Sequence, residues 1–154
     1  MTLVGPGPYL RQAMHRATKL PGGERIIFAG GYPKERMRDF YAAADVFVFA
    51  SCTETQGLAL AEAMAGGLPC VAIAAHGVAW VLEDNVHGFL VPQVRELFAQ
   101  RVSLLIERPE LRKRMGERAR QHIERHFSAS HMAKRLFDIY EHIISNRRNM
   151  SRCG

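Results

Sequence analysis

Cysteine is scarce in this 154-residue chain: Cys52, Cys70 and Cys153 are all there is, with no Cys-x-x-Cys pair. An odd, sparse set fits a reducing compartment and argues against a disulfide framework or a cysteine-rich metal site. Long apolar runs are absent too. Nothing approaches the ~20 residues that a membrane-crossing helix needs. The opening Met1-Thr-Leu-Val-Gly-Pro-Gly-Pro8 lacks the basic-then-apolar order of a secretory leader. A cytoplasmic protein is therefore expected. There is no internal repeat or low-complexity tract, and no Gly-x-Gly-x-x-Gly between a strand and a helix. The glycines around Gly5 and Gly30 read as turns rather than as a dinucleotide site.

What is present is an ordinary globular composition, 47% hydrophobic and 23% charged, and enough length for one domain with a substantial core. Positive charge dominates: 21 Lys and Arg against 15 Asp and Glu leave a net charge of +6. That balance permits attraction to nucleotides, anionic lipid or nucleic acid without choosing among them. No nucleic-acid module is recognisable, so nucleic acid is not an expected partner. The basic stretch Arg108 to Arg125 alternates with Glu107, Glu110, Glu117 and Glu124. It reads as a solvated, ion-paired helix face, with an anionic membrane surface as the sharper alternative. His122 and His126 share a helical face but have no third ligand, so solvated surface is expected there.

Along the first half, short apolar runs alternate with amphipathic ones. Leu3-Val4, Arg25–Gly30, Asp45–Ser51, Pro69–Ile73 and Gly88–Val91 read as strands. Tyr9–Leu20, Pro33–Ala44, Leu58–Ala65 and Gly77–Leu82 read as helices. Strands alternating with helices predict an α/β fold with a doubly wound, Rossmann-like parallel sheet. From Val94 onward the pattern is helical only, over Arg95–Ile106, Pro109–His126 and Ser130–Ile144. Residues 1–145 are thus expected to form the domain, and 146–154 a flexible basic tail.

One segment carries chemistry: Ser51-Cys-Thr-Glu54-Thr-Gln-Gly57-Leu-Ala-Leu-Ala-Glu62, followed by Gly66-Gly67-Leu-Pro69. In an open α/β sheet, ligands bind beyond the carboxyl ends of the strands, where residues 51–57 would emerge. Gly57 allows close backbone approach, and the first amides of the next helix can receive a diphosphate without basic side chains. Glu62, one turn further, can accept hydrogen bonds from the vicinal hydroxyls of a ribose. Glu54 can reach a sugar on the other side of the diphosphate. The plain alternative is that both glutamates are solvated helix-start carboxylates.

Glu54 and Glu62 resemble the E-x7-E pattern of retaining glycosyltransferases of the GT-B fold, in glycosyltransferase family 4. Phe28-Ala-Gly-Gly31, Tyr41-Ala-Ala-Ala-Asp45-Val-Phe-Val-Phe-Ala-Ser51, Gly88-Phe-Leu-Val-Pro92 and Leu111 to Arg120 are similar to that family's donor domain in order and spacing. The resemblance implies the C-terminal, nucleotide-sugar-binding half of a GT-B enzyme followed by helices. It implies donor-sugar contact by Glu54, which is the catalytic candidate, and ribose contact by Glu62. It places Gln56, Gly57, Leu58 and Ala59 on the sugar and diphosphate, and Tyr32 on the nucleobase. No metal or other cofactor is implied. The Thr53-Glu-Thr-Gln-Gly-Leu58 wording is similar to glycolipid-forming members, which makes a lipid a candidate acceptor and the inner face of a membrane a candidate location.

Against the family's pattern, the N-terminal acceptor domain, the first donor-domain strand and the Arg and Lys that neutralise the diphosphate are missing from this sequence. Trp80 stands where an acidic residue is commoner. An N-terminally truncated chain that does not transfer sugar alone is expected. A non-catalytic interaction module on the same fold and a basic peripheral membrane protein remain the rival readings.

Overall fold

The computed structural model describes residues 1–150, with the side chains of His76 and of residues 146–150 outside the description. The chain folds as two compact units, Met1–Phe40 and the remainder from Tyr41 onward.

In the first unit, β1 (Thr2–Val4) pairs in parallel with β2 (Ile27–Gly30), with Thr2 opposite Ile27 and Leu3 opposite Phe28. Between them run α1 (Leu10–Ala17) and a single 3-10 turn, Gly23–Arg25. His15 and Arg16 place positive charge in the last turn of α1, where the helix dipole favours it. The turn takes up Arg25, so β2 starts two residues later than the apolar run suggests. After Pro33 the chain enters α2 (Lys34–Ala42), which leads into the second unit.

The second unit holds three parallel strands in the order β3 (Phe47–Phe49), β4 (Cys70–Ile73) and β5 (Gly88–Val91). Phe47 sits opposite Cys70, and Cys70 opposite Gly88. The expected strand 45–51 narrows to its middle, because only Phe47, Val48 and Phe49 find ladder partners in β4. Parallel neighbours require crossover helices. These are α3 (Leu58–Ala65) and the short α4 (His76–Ala79). The predicted helix over 77–82 starts one residue early and ends at Ala79.

The helical half follows as α5 (Arg95–Glu107), α6 (Pro109–His126) and α7 (Ala129–Met150), the last running past the expected start of the tail. Residues 151–154 of that tail lie outside the described residues. Val71, Phe89, Val91, Leu105 and Met115 form the core where β4 and β5 meet α5 and α6, with Phe98, Val102 and Leu111 against them. Burying one such side chain stabilises the fold by about 1.5–3 kcal/mol. Arg112 ties the layer together: its guanidinium donates to the carbonyls of Leu105 (2.9 Å) and Ile106 (2.8 Å), groups that the end of α5 leaves without helical partners.

The face of α7 that carries Met132, Leu136, Phe137, Tyr140, Ile143 and Ile144 is exposed. Among the described residues, no helix is long and apolar enough to cross a membrane.

Candidate functional site

β3 ends at Phe49 and releases the chain at the carboxyl edge of the three-stranded ladder. Residues 50–57 form a loop without helix or strand, and α3 starts at Leu58. The loop is closed by its own glutamate. Glu54 Oε1 accepts hydrogen bonds from the backbone N–H of Gly57 (2.8 Å) and of Gln56 (3.0 Å). These bonds hold the Glu54 carboxyl below the usual carboxylate range, the Gly57 amide contributing most and Gln56 next. Two of the amides expected to meet a ligand are thus engaged by Glu54 itself. The amides of Leu58 and Ala59 follow in the first turn of α3, where a helix supplies no acceptor. Leu58 is exposed and Ala59 half-buried.

Gly57 caps α3 at φ 67°, ψ 28°, a left-handed conformation that side chains with a Cβ adopt at a cost. The loop also rests on the start of α4. The Gly77 N–H donates to the Glu54 carbonyl (3.2 Å), and a Cβ on Gly57 would lie 3.0 Å from the Gly77 carbonyl oxygen. A Cβ on Gly77 would in turn lie 2.7 Å from the Glu54 carbonyl oxygen. Two backbones meet here with no room between them.

Glu62, half-buried one turn into α3, accepts a hydrogen bond from the Tyr41 hydroxyl (3.1 Å, to Oε2). Tyr41 is only 8% exposed and edge-on to Phe47, with ring centroids 5.9 Å apart. Burial, and then the adjacent Glu62 charge, push its phenol up to about 12. Tyr32 belongs to the first unit, where it is exposed and packs edge-on against Phe40 at 4.8 Å. Trp80, just after α4, is 81% exposed.

Glu54, Gln56 and Gly57 are joined by direct hydrogen bonds, and Leu58, Ala59 and Glu62 follow on the helix that this loop starts. Tyr41 carries no signal as a site residue in the sequence, whereas His76-Gly77 can be read there as approaching the donor pocket, and Gly77 does meet the Glu54 loop. Tyr41 reads as one more amphipathic helix position, and Gly77 as a helix start.

The histidine expectation is corrected. His122 is half-buried rather than solvated, its ring tilted 34° against that of the buried His87 at 4.3 Å, and 4.9 Å from the exposed His126, with His131 6.1 Å beyond. The periodicity of one helix shows His122 beside His126 but cannot show His87 arriving from the loop before β5. Among the described residues, no three His, Cys, Asp or Glu side chains converge on a point that could hold a metal ion.

A separate open groove of about 340 Å³ lies past the ends of the three strands, among Ala50, Ile73, Pro92, Val94, Arg95 and Phe98. Its lining is almost wholly apolar and includes neither Glu54 nor Glu62.

The model of the family described as glycosyl transferases group 1 matches residues 1–122. An alpha-monoglucosyldiacylglycerol synthase of Streptococcus pneumoniae is 31% identical over 150 residues, which cover 95% of this chain and 32% of that enzyme. A D-inositol 3-phosphate glycosyltransferase of Streptomyces griseus is 36% identical over 137 residues, 88% of this chain and 29% of the enzyme. The chain therefore spans about a third of the length of these relatives. In fold it is similar to the Anabaena protein HepE, whose crystal structure holds UDP-glucose, with a TM-score of 0.81 at 24% identity over 91% of this chain and 40% of that one.

Proposed function

Since the chain belongs to the glycosyl transferases group 1 family, we propose that it is the donor-binding portion of an enzyme that moves a hexose from a nucleoside-diphosphate sugar to an acceptor. The observation that carries this reading is the loop before α3, closed by Glu54 over the Gln56 and Gly57 amides and followed one turn later by Glu62. In this reading the Leu58 and Ala59 amides face the diphosphate, so that phosphate charge meets the positive end of a helix. Glu62 accepts the ribose hydroxyls, and Glu54 serves the donor sugar while holding the loop.

In the reaction we assign to the whole enzyme, the bond from the anomeric carbon to the diphosphate breaks and its electron pair leaves with the nucleoside diphosphate. The acceptor oxygen bonds the anomeric carbon on the same face, and its proton passes to the departing phosphate. No metal is assigned a part. Stabilising charge on the leaving diphosphate calls for donors aimed at it. The amides above are the donors we assign among the described residues, so we propose that transfer requires the acceptor-binding portion that the relatives' greater length can accommodate.

Binding of a nucleoside diphosphate, measured by calorimetry on the 154-residue chain, tests the reading. Hydrogen bonds to a charged group are worth about 1.5–3 kcal/mol, so Glu62→Ala should weaken binding about ten- to a hundredfold. No binding at millimolar ligand would sink the proposal.

A lipid acceptor is the finer reading. It is supported by the identity to the alpha-monoglucosyldiacylglycerol synthase and by the exposed cations Arg108, just before α6, and Lys113, Arg114, Arg118 and Arg125 on it. Sedimentation with vesicles containing anionic lipid checks it: retention should fall when these residues are replaced by Ser, and unchanged retention speaks against it.

A further inference from the structure

Tyr41 takes no part in the donor contacts proposed above, yet it is built into their support. It stands near the end of α2, before β3, and packs against the last turn of α3. A Cβ added to Gly66, at the C-terminus of α3, would sit 3.3 Å from the Tyr41 Cβ. The hydroxyl reaches Glu62 Oε2 one turn further up, at 3.1 Å. The ring is fixed on another side by Phe47, edge-on at 5.9 Å, and only 8% of the residue is exposed. A glutamate on a helix samples several rotamers in solution, and a contact that selects one of them pre-organises whatever the carboxylate is to bind.

From this geometry we propose that Tyr41 is a positioning residue for Glu62: its hydroxyl holds the carboxylate in the orientation that accepts the two ribose hydroxyls of a nucleoside diphosphate. The inference rests on the donor-binding reading and adds a residue to it. One Tyr hydroxyl engages one of the roughly four acceptor positions of a carboxylate. The contact therefore orients Glu62 while itself occupying one acceptor position. The ring does not reach the ligand in this assignment. Burial and the Glu62 charge keep the phenol protonated far above neutral pH, so the donor is present throughout the working range.

The test compares a ribonucleoside diphosphate with its 2′,3′-dideoxy analogue, by calorimetry, on the unaltered chain, Tyr41→Phe and Glu62→Ala. Tyr41→Phe keeps the ring and removes only the hydroxyl. The unaltered chain should prefer the ribonucleotide, and Glu62→Ala should bring the ratio near one. Tyr41→Phe should cut the ratio roughly five- to tenfold by weakening the ribonucleotide alone. Dideoxy affinity should not change.

An equal loss for both ligands in Tyr41→Phe would show a merely structural residue and overturn the proposal. A ratio unchanged from the unaltered chain would overturn it too. If instead Glu62→Ala leaves the ratio untouched, or the unaltered chain binds neither ligand, the donor-binding reading itself has failed. Should Tyr41→Phe fold poorly, Phe47→Leu loosens the ring without touching the hydroxyl, and should lower the ratio in the same direction. A ratio that Phe47→Leu leaves unchanged would overturn the proposal.

Discussion

Replacing Gly77 by alanine adds one carbon where the fold has no space for it, and the consequence can be worked from distances. The new Cβ would overlap the Thr55 carbonyl carbon and stand 2.7 Å from the carbonyl oxygens of both Glu54 and Thr55. Non-bonded carbons need about 3.5 Å, so one backbone must retreat by roughly an ångström. Behind Gly77, Val78, Val81 and Leu82 are at most 3% exposed. In front, residues 52, 53, 55 and 56 are exposed. The loop should therefore yield and the core should not. Overpacking of this kind costs about 1–3 kcal/mol, and the Gly77 N–H bond to the Glu54 carbonyl, worth about 0.5–1.5 kcal/mol, is stretched with it.

Because the strain is relieved in the loop, it should appear mainly as lost affinity. Nucleoside diphosphate binding by Gly77→Ala should fall about tenfold or more, with a melting temperature within a few degrees of the unaltered chain. Calorimetric titration and a thermal melt on one preparation measure both. Unchanged affinity would refute the reasoning, since it would mean that loop position does not set the site. A collapsed melting temperature would refute the claim that the loop, and not the core, gives way.

The remaining predictions concern the scaffold. Gly116→Ala drives a Cβ into the Gly67 carbonyl, where α6 crosses the exit of α3, so it should destabilise by about 1–3 kcal/mol in a denaturant melt. Affinity per folded molecule should stay unaltered. His87, 4% exposed, is held below its ordinary value of 6.5 by burial first and then by His122 and Arg118, against an opposing pull from Glu83. His122 is depressed by burial and by His126. Folding favours the neutral rings, so this contribution to stability is complete above pH ~6.5 and fades as pH falls through the folded values. Melting temperature should drop between pH 7 and 5, and His87→Gln should flatten that slope. On α7, Leu136 and Ile143 lie seven residues apart and about half exposed. The isolated chain should self-associate through this face at high concentration, and Leu136→Glu with Ile143→Glu should return it towards a monomer in analytical ultracentrifugation.

Much of this protein is written locally and so can be read from the sequence. Apolar runs rich in β-branched and aromatic residues set the strands. Pro109 starts α6 because its fixed φ suits a first turn. The loop from Ser51 and the helix from Leu58 follow from residue type and spacing, as does the placing of Glu54 and Glu62 on them. The match to the family rests on the same linear order.

What the sequence could not decide depends on contacts between residues far apart in the chain. Strand ends are one case: Asp45, Val46, Ala50 and Ser51 have strand-like neighbours, yet only Phe47–Phe49 meet partners in β4. Gly77 is another, since a helix-start glycine becomes a limit on loop position only when Glu54 is brought against it. His122 joins His87 only because α6 packs on β5. Tyr41 and Glu62, 21 residues apart, meet because Tyr41, at the start of the second unit, packs against α3 beside Phe47. Periodicity tells which face of a helix is buried, but only packing tells what it is buried against. The two glutamates were legible in the sequence; only the tertiary structure showed the Gln56 and Gly57 amides that engage one and the tyrosine that steadies the other.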